Sequence, residues 1–145
     1  MIKIICVGKI KEKYLNELIN DYVKRIEKYH KIQVIELKDY DDIKKETKEL
    51  LTVINAKDYN IALCISGKKY NSIELASHLN DLFNYSSTIT FIIGSSNGIA
   101  NEILDLCRES ISFSDLTFPH GLFRGILVEQ IYRSFKISNN ETYHK

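Results

Sequence analysis

Apolar residues fall along the chain in two patterns that alternate with each other. Short, dense apolar runs that are rich in β-branched residues predict buried β-strands, and apolar residues that recur every three or four positions predict amphipathic helices. The predicted strands are Met1–Val7, Ile32–Leu37, Asn60–Ile65, Thr88–Ile93 and a brief Ile111–Phe113. The predicted helices run from about Leu15 to Tyr29, over Asp41–Val53, from the capping pair Asn71 and Glu74 through Leu82, and near Asn101–Cys107.

Because strands alternate with helices, the sequence predicts an α/β fold with a mostly parallel sheet flanked by helices. Residues 1–145 contain no linker or repeat, so we expect a single domain. In such sheets, ligands bind beyond the carboxyl ends of the strands. Ser66–Lys68, Gly94–Gly98 and Ser114–Pro119 follow predicted strands, and we expect all three to be loops at that edge. The charged helix Asp41–Val53 has few apolar residues and is expected to be peripheral.

The longest pattern, Thr117–Lys136, predicts the helix around which the site is organised. Pro119 holds Phe118 extended, so the helix should start directly after the proline. Gly121 and Gly125 are spaced to admit another backbone, which favours an interface with a second copy; a loosened helix start is the alternative. The predicted apolar face comprises Phe123, Leu127, Ile131 and Phe135, widened by Leu122 and Ile126.

Composition narrows the function classes. A net charge of +1 gives no global field, so nucleic-acid binding would need a local basic patch. Lys9, Lys11, Lys13, Lys24 and Arg25 are candidates for it. The chain has no apolar run long enough for a membrane span and no signal peptide, which predicts a cytoplasmic protein without a membrane partner.

Classical catalytic and cofactor motifs are missing. Neither GxGxxG nor GxxxxGK[ST] occurs, and Gly94–Gly98 taken alone reads as a plain turn. The three cysteines have no CxxC spacing and are expected to be buried thiols, so no metal is predicted. His120 could be a cap, a packing residue or a base.

Several longer segments nevertheless match one family. They are VGKIKEKY at Val7–Tyr14, ISGK at Ile65–Lys68, IGSSNG at Ile93–Gly98, SFSDLTFPH at Ser112–His120, RGILVEQIYRSFKI at Arg124–Ile137 and YHK at Tyr143–Lys145. Through them the chain resembles the ribosomal RNA large subunit methyltransferase H family of the SPOUT superfamily. The resemblance spans nearly the whole chain.

The resemblance implies a homodimer with a C-terminal trefoil knot that holds S-adenosylmethionine. It also implies methylation of N3 of a pseudouridine in the helix 69 hairpin loop of 23S rRNA, on the assembled ribosome. Cofactor contacts would map onto Leu63, Gly94, Phe113, Ser114, Asp115, Leu116, Thr117 and Phe118. His144 and Tyr143 would lie near the target base, with Arg124 and Arg133 neutralising negative charge.

Two departures from the family pattern leave alternatives open. Ser95 stands where the family usually has a second glycine, and the chain lacks the acidic residue that is common near Cys64. The segment around Asp41–Leu51 also looks shortened. A non-enzymatic ribosome-binding module that has lost the cofactor is one alternative. A SPOUT methyltransferase that acts on transfer RNA is the other.

Overall fold

The computed structural model describes residues Met1–Lys145 and contains one five-stranded sheet. Its strands lie in the order β2-β1-β4-β3-β5 and are all parallel. This confirms the predicted α/β fold with a parallel sheet. The strands are β1 (Ile2–Val7), β2 (Ile32–Leu37), β3 (Tyr59–Lys69), β4 (Ile89–Ile93) and β5 (Glu109–Ser112). The helices are α1 (Lys13–Glu27), α2 (Ile43–Val53), α3 (Ser72–Tyr85), α4 (Asn101–Leu104) and α5 (His120–Ser138).

The sheet is covered on both faces. Successive strand side chains point to opposite faces, so Ile4 and Cys6 of β1 pack into the larger core with α1, α3 and α5. Ile5 and Val7 pack into a smaller core with α2 and α4. Central β4 is buried at every position, which explains its uninterrupted apolar sequence. None of the five helices is both long and apolar enough to cross a membrane.

The expected loop at Ser66–Lys68 is wrong, because β3 continues through Lys69. Its pairing with β5 shifts register between Leu63 and Lys68. Gly67 permits the close pairing after the shift: a Cβ there would lie 2.6 Å from backbone atoms of Ile111. The glycine therefore serves strand packing, although in the sequence it resembles a turn signal.

Helix α5 buries a wider face than the predicted one: the row Phe123, Leu127, Ile131 and Phe135 packs against the core as expected, with its two phenylalanines partly buried. Leu127 and Ile131 are buried as expected, but their neighbours in the core are Val128 and Tyr132, while Leu122 is 40% exposed. The reason is that α5 packs against both α1 and α3, so its buried face is wider than one i, i+4 row.

The expected role of Gly121 and Gly125 in contacting a second copy is also wrong, because α1 of the same chain occupies their face. A Cβ at Gly121 would lie 2.9 Å from Leu15 Cδ1, and one at Gly125 would lie 3.2 Å from Leu18 Cδ2. The two glycines thus let α1 and α5 approach each other within one chain.

Candidate active site

A cleft of about 620 Å³, a typical size for a small-molecule site, opens at the carboxyl ends of β4 and β5 and beside the register shift in β3. Every predicted cofactor residue except Asp115 lines it: Leu63, Gly94, Phe113, Ser114, Leu116, Thr117 and Phe118. Asp115 instead forms an exposed ion pair with Lys69, with 2.5 Å between Oδ2 and Nζ. The fold therefore gathers segments about fifty residues apart in the chain into one cavity, as expected of parallel strand ends.

The cleft walls are mostly apolar. Their polar groups are serine and threonine hydroxyls, backbone groups, the Cys64 thiol and the His120 imidazole. Phe123, also in the lining, was missed as a site residue because it reads as part of the core face of α5. Its place three residues after His120, on the same side of a helix, was the available signal.

The Gly94–Gly98 loop is compact because its own backbone needs the space. A Cβ at Gly94 would lie 2.6 Å from the carbonyl oxygen of Gly98. Gly98 has φ +82°, which favours glycine, and its N–H donates to the Ser95 carbonyl at 2.9 Å. Gly94 is thus required by the loop itself, whether or not a ligand approaches it.

The expectation that α2 is peripheral is wrong. Glu46, Thr47 and Leu50 are buried, and the Glu46 carboxylate holds the Gly94–Gly98 loop. Ser95 Oγ donates to Glu46 Oε1 at 2.5 Å, and Asn97 Nδ2 donates to the same oxygen at 3.2 Å. Sequence reasoning missed Glu46. The available signal was its position four residues before Leu50, on the apolar side of a charged helix.

The C-terminal tail is packed onto α5. Arg133 donates to Glu129 through Nε at 3.0 Å and through Nη2 at 2.6 Å. The Tyr143 hydroxyl donates to the same Glu129 at 3.0 Å, and its ring lies 4.9 Å from that of Tyr132. Arg133 Nη1 lies 3.0 Å from His144 Nδ1. Three of the four residues predicted to be catalytic therefore form one cluster, which we call the tail cluster: Arg133, Tyr143 and His144, organised by Glu129.

The protonation states in the tail cluster follow from these contacts. Burial raises the pKa of the Tyr143 hydroxyl, and its hydrogen bonds with Tyr22 and Glu129 raise it further, so Tyr143 is a neutral donor. The hydrogen bond to Glu129 raises the pKa of Arg133. Since a guanidinium can only donate, Nδ1 of His144 accepts the hydrogen bond from Arg133, and neutral His144 carries its hydrogen on Nε2.

Arg124 lies apart from the tail cluster. It is only 3% exposed, its Nη1 donates to Glu36 Oε2 at 2.5 Å, and its Nη2 donates to the Gly8 carbonyl at 2.9 Å. Arg124 thereby ties α5 to the ends of β1 and β2, which favours a structural role.

The cleft and the tail cluster of one chain are well separated. His120 lines the cleft and Arg133 belongs to the cluster, and at about 1.5 Å rise per residue they are about 20 Å apart along α5. No residue of the tail cluster lines the cleft.

Comparison with known proteins decides the family. The family described as "Predicted SPOUT methyltransferase" matches residues 1–144. The chain belongs to the SPOUT methyltransferases. Proteins named "Ribosomal RNA large subunit methyltransferase H" are similar over 99% of both chains, with 45% identity in Clostridioides difficile, 44% in Bacillus pumilus and 43% in Fusobacterium nucleatum. The resemblance inferred from the sequence motifs is therefore confirmed.

Proposed function

We propose that this SPOUT methyltransferase transfers a methyl group from S-adenosylmethionine to N3 of a pseudouridine in the helix 69 loop of 23S rRNA. The assembled ribosome in the cytoplasm would be its substrate. The observation that carries the proposal is the cleft, where all but one of the expected cofactor residues meet beside the ends of β4 and β5 and the register shift in β3. The full-length similarity to proteins named for ribosomal RNA methylation supports the substrate class.

The cleft fits the cofactor in size and chemistry. Its apolar walls, from Leu63 to Phe118, suit the adenine ring, and the hydroxyls of Ser112, Ser114 and Thr117 suit the ribose and amino-acid groups. S-adenosylmethionine would supply an electrophilic methyl group on its sulfonium. We further propose that the segments around the cleft form the trefoil knot that the family resemblance implies. Positioning of the acceptor against the methyl group would supply most of the rate enhancement.

The tail cluster would act on the target base. N3 of the pseudouridine loses a proton when it is methylated, so an acceptor for that proton is required. In the observed contacts, His144 presents Nε2–H as a donor, which suits a base carbonyl or a phosphate oxygen. His144 can take up a proton at Nδ1 only after Arg133 releases that nitrogen. Tyr143 and Arg133 hold His144 in place through Glu129.

A homodimer would bring the two halves of the site together. Because cleft and tail cluster are far apart in one chain, each cleft would face the tail cluster of the other copy. Exposed apolar side chains support an interface on the α1–α5 side: Tyr14 is 69% exposed, and Leu18 and Leu122 are each 40% exposed. Leu116, which lines the cleft, is also 69% exposed.

The non-enzymatic alternative rests on Ser95, and the structure weakens that argument. The Ser95 hydroxyl is bonded to Glu46, so the extra side chain points toward α2. The substitution therefore leaves room in the cleft for a cofactor.

A methyl-transfer assay with labelled S-adenosylmethionine tests the proposal. Ribosomes, free 23S rRNA and transfer RNA are supplied as separate substrates. We expect label on ribosomes only, at a pseudouridine in helix 69, and titration calorimetry should show binding of S-adenosylmethionine. His144→Ala should bind the cofactor normally but lose most turnover. Label on transfer RNA would establish the tRNA alternative, and absence of cofactor binding would establish the non-enzymatic one.

A further inference from the structure

Glu46 is a buried carboxylate with no cation beside it. It is 3% exposed and takes part in no ion pair. Burying a charge is costly unless donors satisfy it. Three donors do so here: the Tyr40 N–H at 2.9 Å, Ser95 Oγ at 2.5 Å and Asn97 Nδ2 at 3.2 Å. Two of the three come from the loop that borders the cleft.

The bonds continue from Glu46 into the loop. Because Ser95 gives its hydroxyl hydrogen to Glu46, its oxygen is free to accept the Asn97 N–H, which lies 3.1 Å away. Asn97 also donates its side-chain amide to the Tyr40 carbonyl at 3.0 Å. The Gly94–Gly98 loop is thereby fastened at two side chains to the segment that leads into α2. Ser95, Gly94 and Gly98 all line the cleft.

We propose that Glu46 is a positioning residue that, through Ser95, fixes the Gly94–Gly98 loop in the conformation that binds the methyl donor. The proposal rests on the function proposed above. Hydrogen bonds to an ionised acceptor are stronger than neutral ones, so a carboxylate at this position holds the loop more firmly than an amide would. Ser95, in place of the family's usual glycine, adds one more hydrogen bond between Glu46 and the Gly94–Gly98 loop.

Glu46→Gln, Ser95→Ala and the double variant test this, with Glu49→Gln as the matched control. Glu49 lies on the same helix and accepts from the Tyr40 hydroxyl at 2.5 Å, but it does not bond to the loop. We expect each single variant to raise the dissociation constant for S-adenosylmethionine about tenfold. Ser95→Ala removes the hydrogen bond to Glu46, and Glu46→Gln replaces its charged acceptor with an amide that holds the loop less firmly. Turnover at saturating cofactor should stay within about twofold, because residues that only position the loop affect binding.

The double variant shows whether Glu46 acts through Ser95. If it does, the double loss should be close to either single loss, whereas independent effects would multiply to about a hundredfold. The proposal would be overturned if the increases in dissociation constant multiplied in the double variant. It would also be overturned if Glu49→Gln lost as much affinity as Glu46→Gln, or if Glu46→Gln bound the cofactor as well as the wild-type protein does.

Amide hydrogen exchange of the ligand-free protein tests, without the cofactor, whether Glu46 holds the Gly94–Gly98 loop. Glu46→Gln should speed exchange at residues 95–98 and leave β1 and β4 unchanged. Should the wild-type protein fail to bind S-adenosylmethionine, the proposed function fails, and the exchange result still decides whether Glu46 holds the loop. Ser95→Ala makes the same test from the loop side if Glu46→Gln does not fold.

Discussion

A single methyl group at position 94 would change the cleft, because the space beside Gly94 is already filled. Its Cβ would lie 2.6 Å from the Gly98 carbonyl oxygen and 2.8 Å from Ile99 Cγ1. We expect Gly94→Val to lower the free energy of unfolding by about 1–3 kcal/mol, as overpacking does, and to abolish S-adenosylmethionine binding by distorting the loop. Chemical denaturation and calorimetry measure the two effects.

Gly98→Asn is the stability control for Gly94→Val. A Cβ at Gly98 meets nothing within 4 Å, and asparagine tolerates positive φ better than other side chains. Gly98→Asn should therefore cost less stability than Gly94→Val. Normal stability and cofactor affinity in Gly94→Val would contradict the steric argument.

The role of Arg124 can be tested by mutation. The family resemblance implies a catalytic role, whereas its contacts with Glu36 and Gly8 favour a structural one. Removing one partner of a buried ion pair costs about 3–5 kcal/mol, and Glu36 is a third exposed, so we expect Arg124→Ala to cost about 3 kcal/mol. Glu36→Gln should cost less, because it keeps an acceptor for the guanidinium. Arg124→Ala with wild-type stability in chemical denaturation and no turnover would restore the catalytic role.

At the scale of elements, the ion pair between Lys136 and Glu141 makes the docking of the tail that follows α5 depend on pH. The hydrogen bond from Lys136 lowers the pKa of Glu141, and a second one from Tyr29 lowers it further; the bond to Glu141 in turn raises the pKa of Lys136. A carboxyl group with a lowered pKa stabilises the docked tail above its usual pKa of 4.5 and loses that contribution as pH falls through the lowered value. Lys136 contributes below its usual 10.5 and loses its contribution only above it.

The tail should therefore stay docked at neutral pH and loosen in acid below about pH 4.5. Amide exchange at residues 139–145, corrected for its intrinsic pH dependence, measures this loosening. Glu141→Gln should loosen the tail at neutral pH and remove the acid transition. An acid transition that persists in Glu141→Gln would assign it to another group.

The sequence predicted elements well where local pattern decides them. The apolar runs of β1, β2 and β4 and the Asn71 capping box of α3 need only neighbouring residues to be recognised. The prediction from sequence failed where residues distant in the chain determine the local structure or the burial of a side chain. Gly67 lies in a strand because β5 passes beside it, and Glu46 is buried because Ser95 and Asn97 bond to it.

The candidate site was also predicted only in part: the cleft was expected from the sequence pattern, and the tail cluster was not. Parallel topology predicted that segments of β3, β4 and β5 would share a cavity, and the structure brings them together, although β3 contributes residues within the strand and not its end. The tail cluster could not be predicted from pattern, since Tyr143 reads as part of a polar terminus. Its packing on Tyr132 and its bond to Glu129 depend on the tail folding back along α5.

At the scale of the whole molecule, the net charge of +1 gives little attraction to RNA, and the cationic side chains are partly used internally. Arg133 and Lys136 are paired with Glu129 and Glu141, and Arg25 is paired with Asp21. One copy therefore offers a weak basic surface to free RNA. A large, structured substrate that contacts two copies at once would compensate for the weak attraction of one copy to RNA. This agrees with the proposed homodimer and with the ribosome as its substrate.

The proposed dimer makes a test by complementation possible. Gly94→Val should inactivate the cleft and His144→Ala should inactivate the tail cluster, so each variant alone should be inactive. Co-expressed with different affinity tags, they should form heterodimers in which one of the two sites combines an intact cleft with an intact tail cluster. Random pairing makes half of the dimers heterodimers, so the mixture should recover about a quarter of wild-type activity.

Purification through both tags should raise the recovered activity to about half of the wild-type value, because every remaining dimer then carries one intact site. The matched control co-expresses two differently tagged copies of His144→Ala, which should stay inactive. Doubly tagged dimers without activity would show that each chain uses its own tail cluster. The tail would then have to leave its contacts with Glu129 and Tyr132 and cross the length of α5 to reach the cleft.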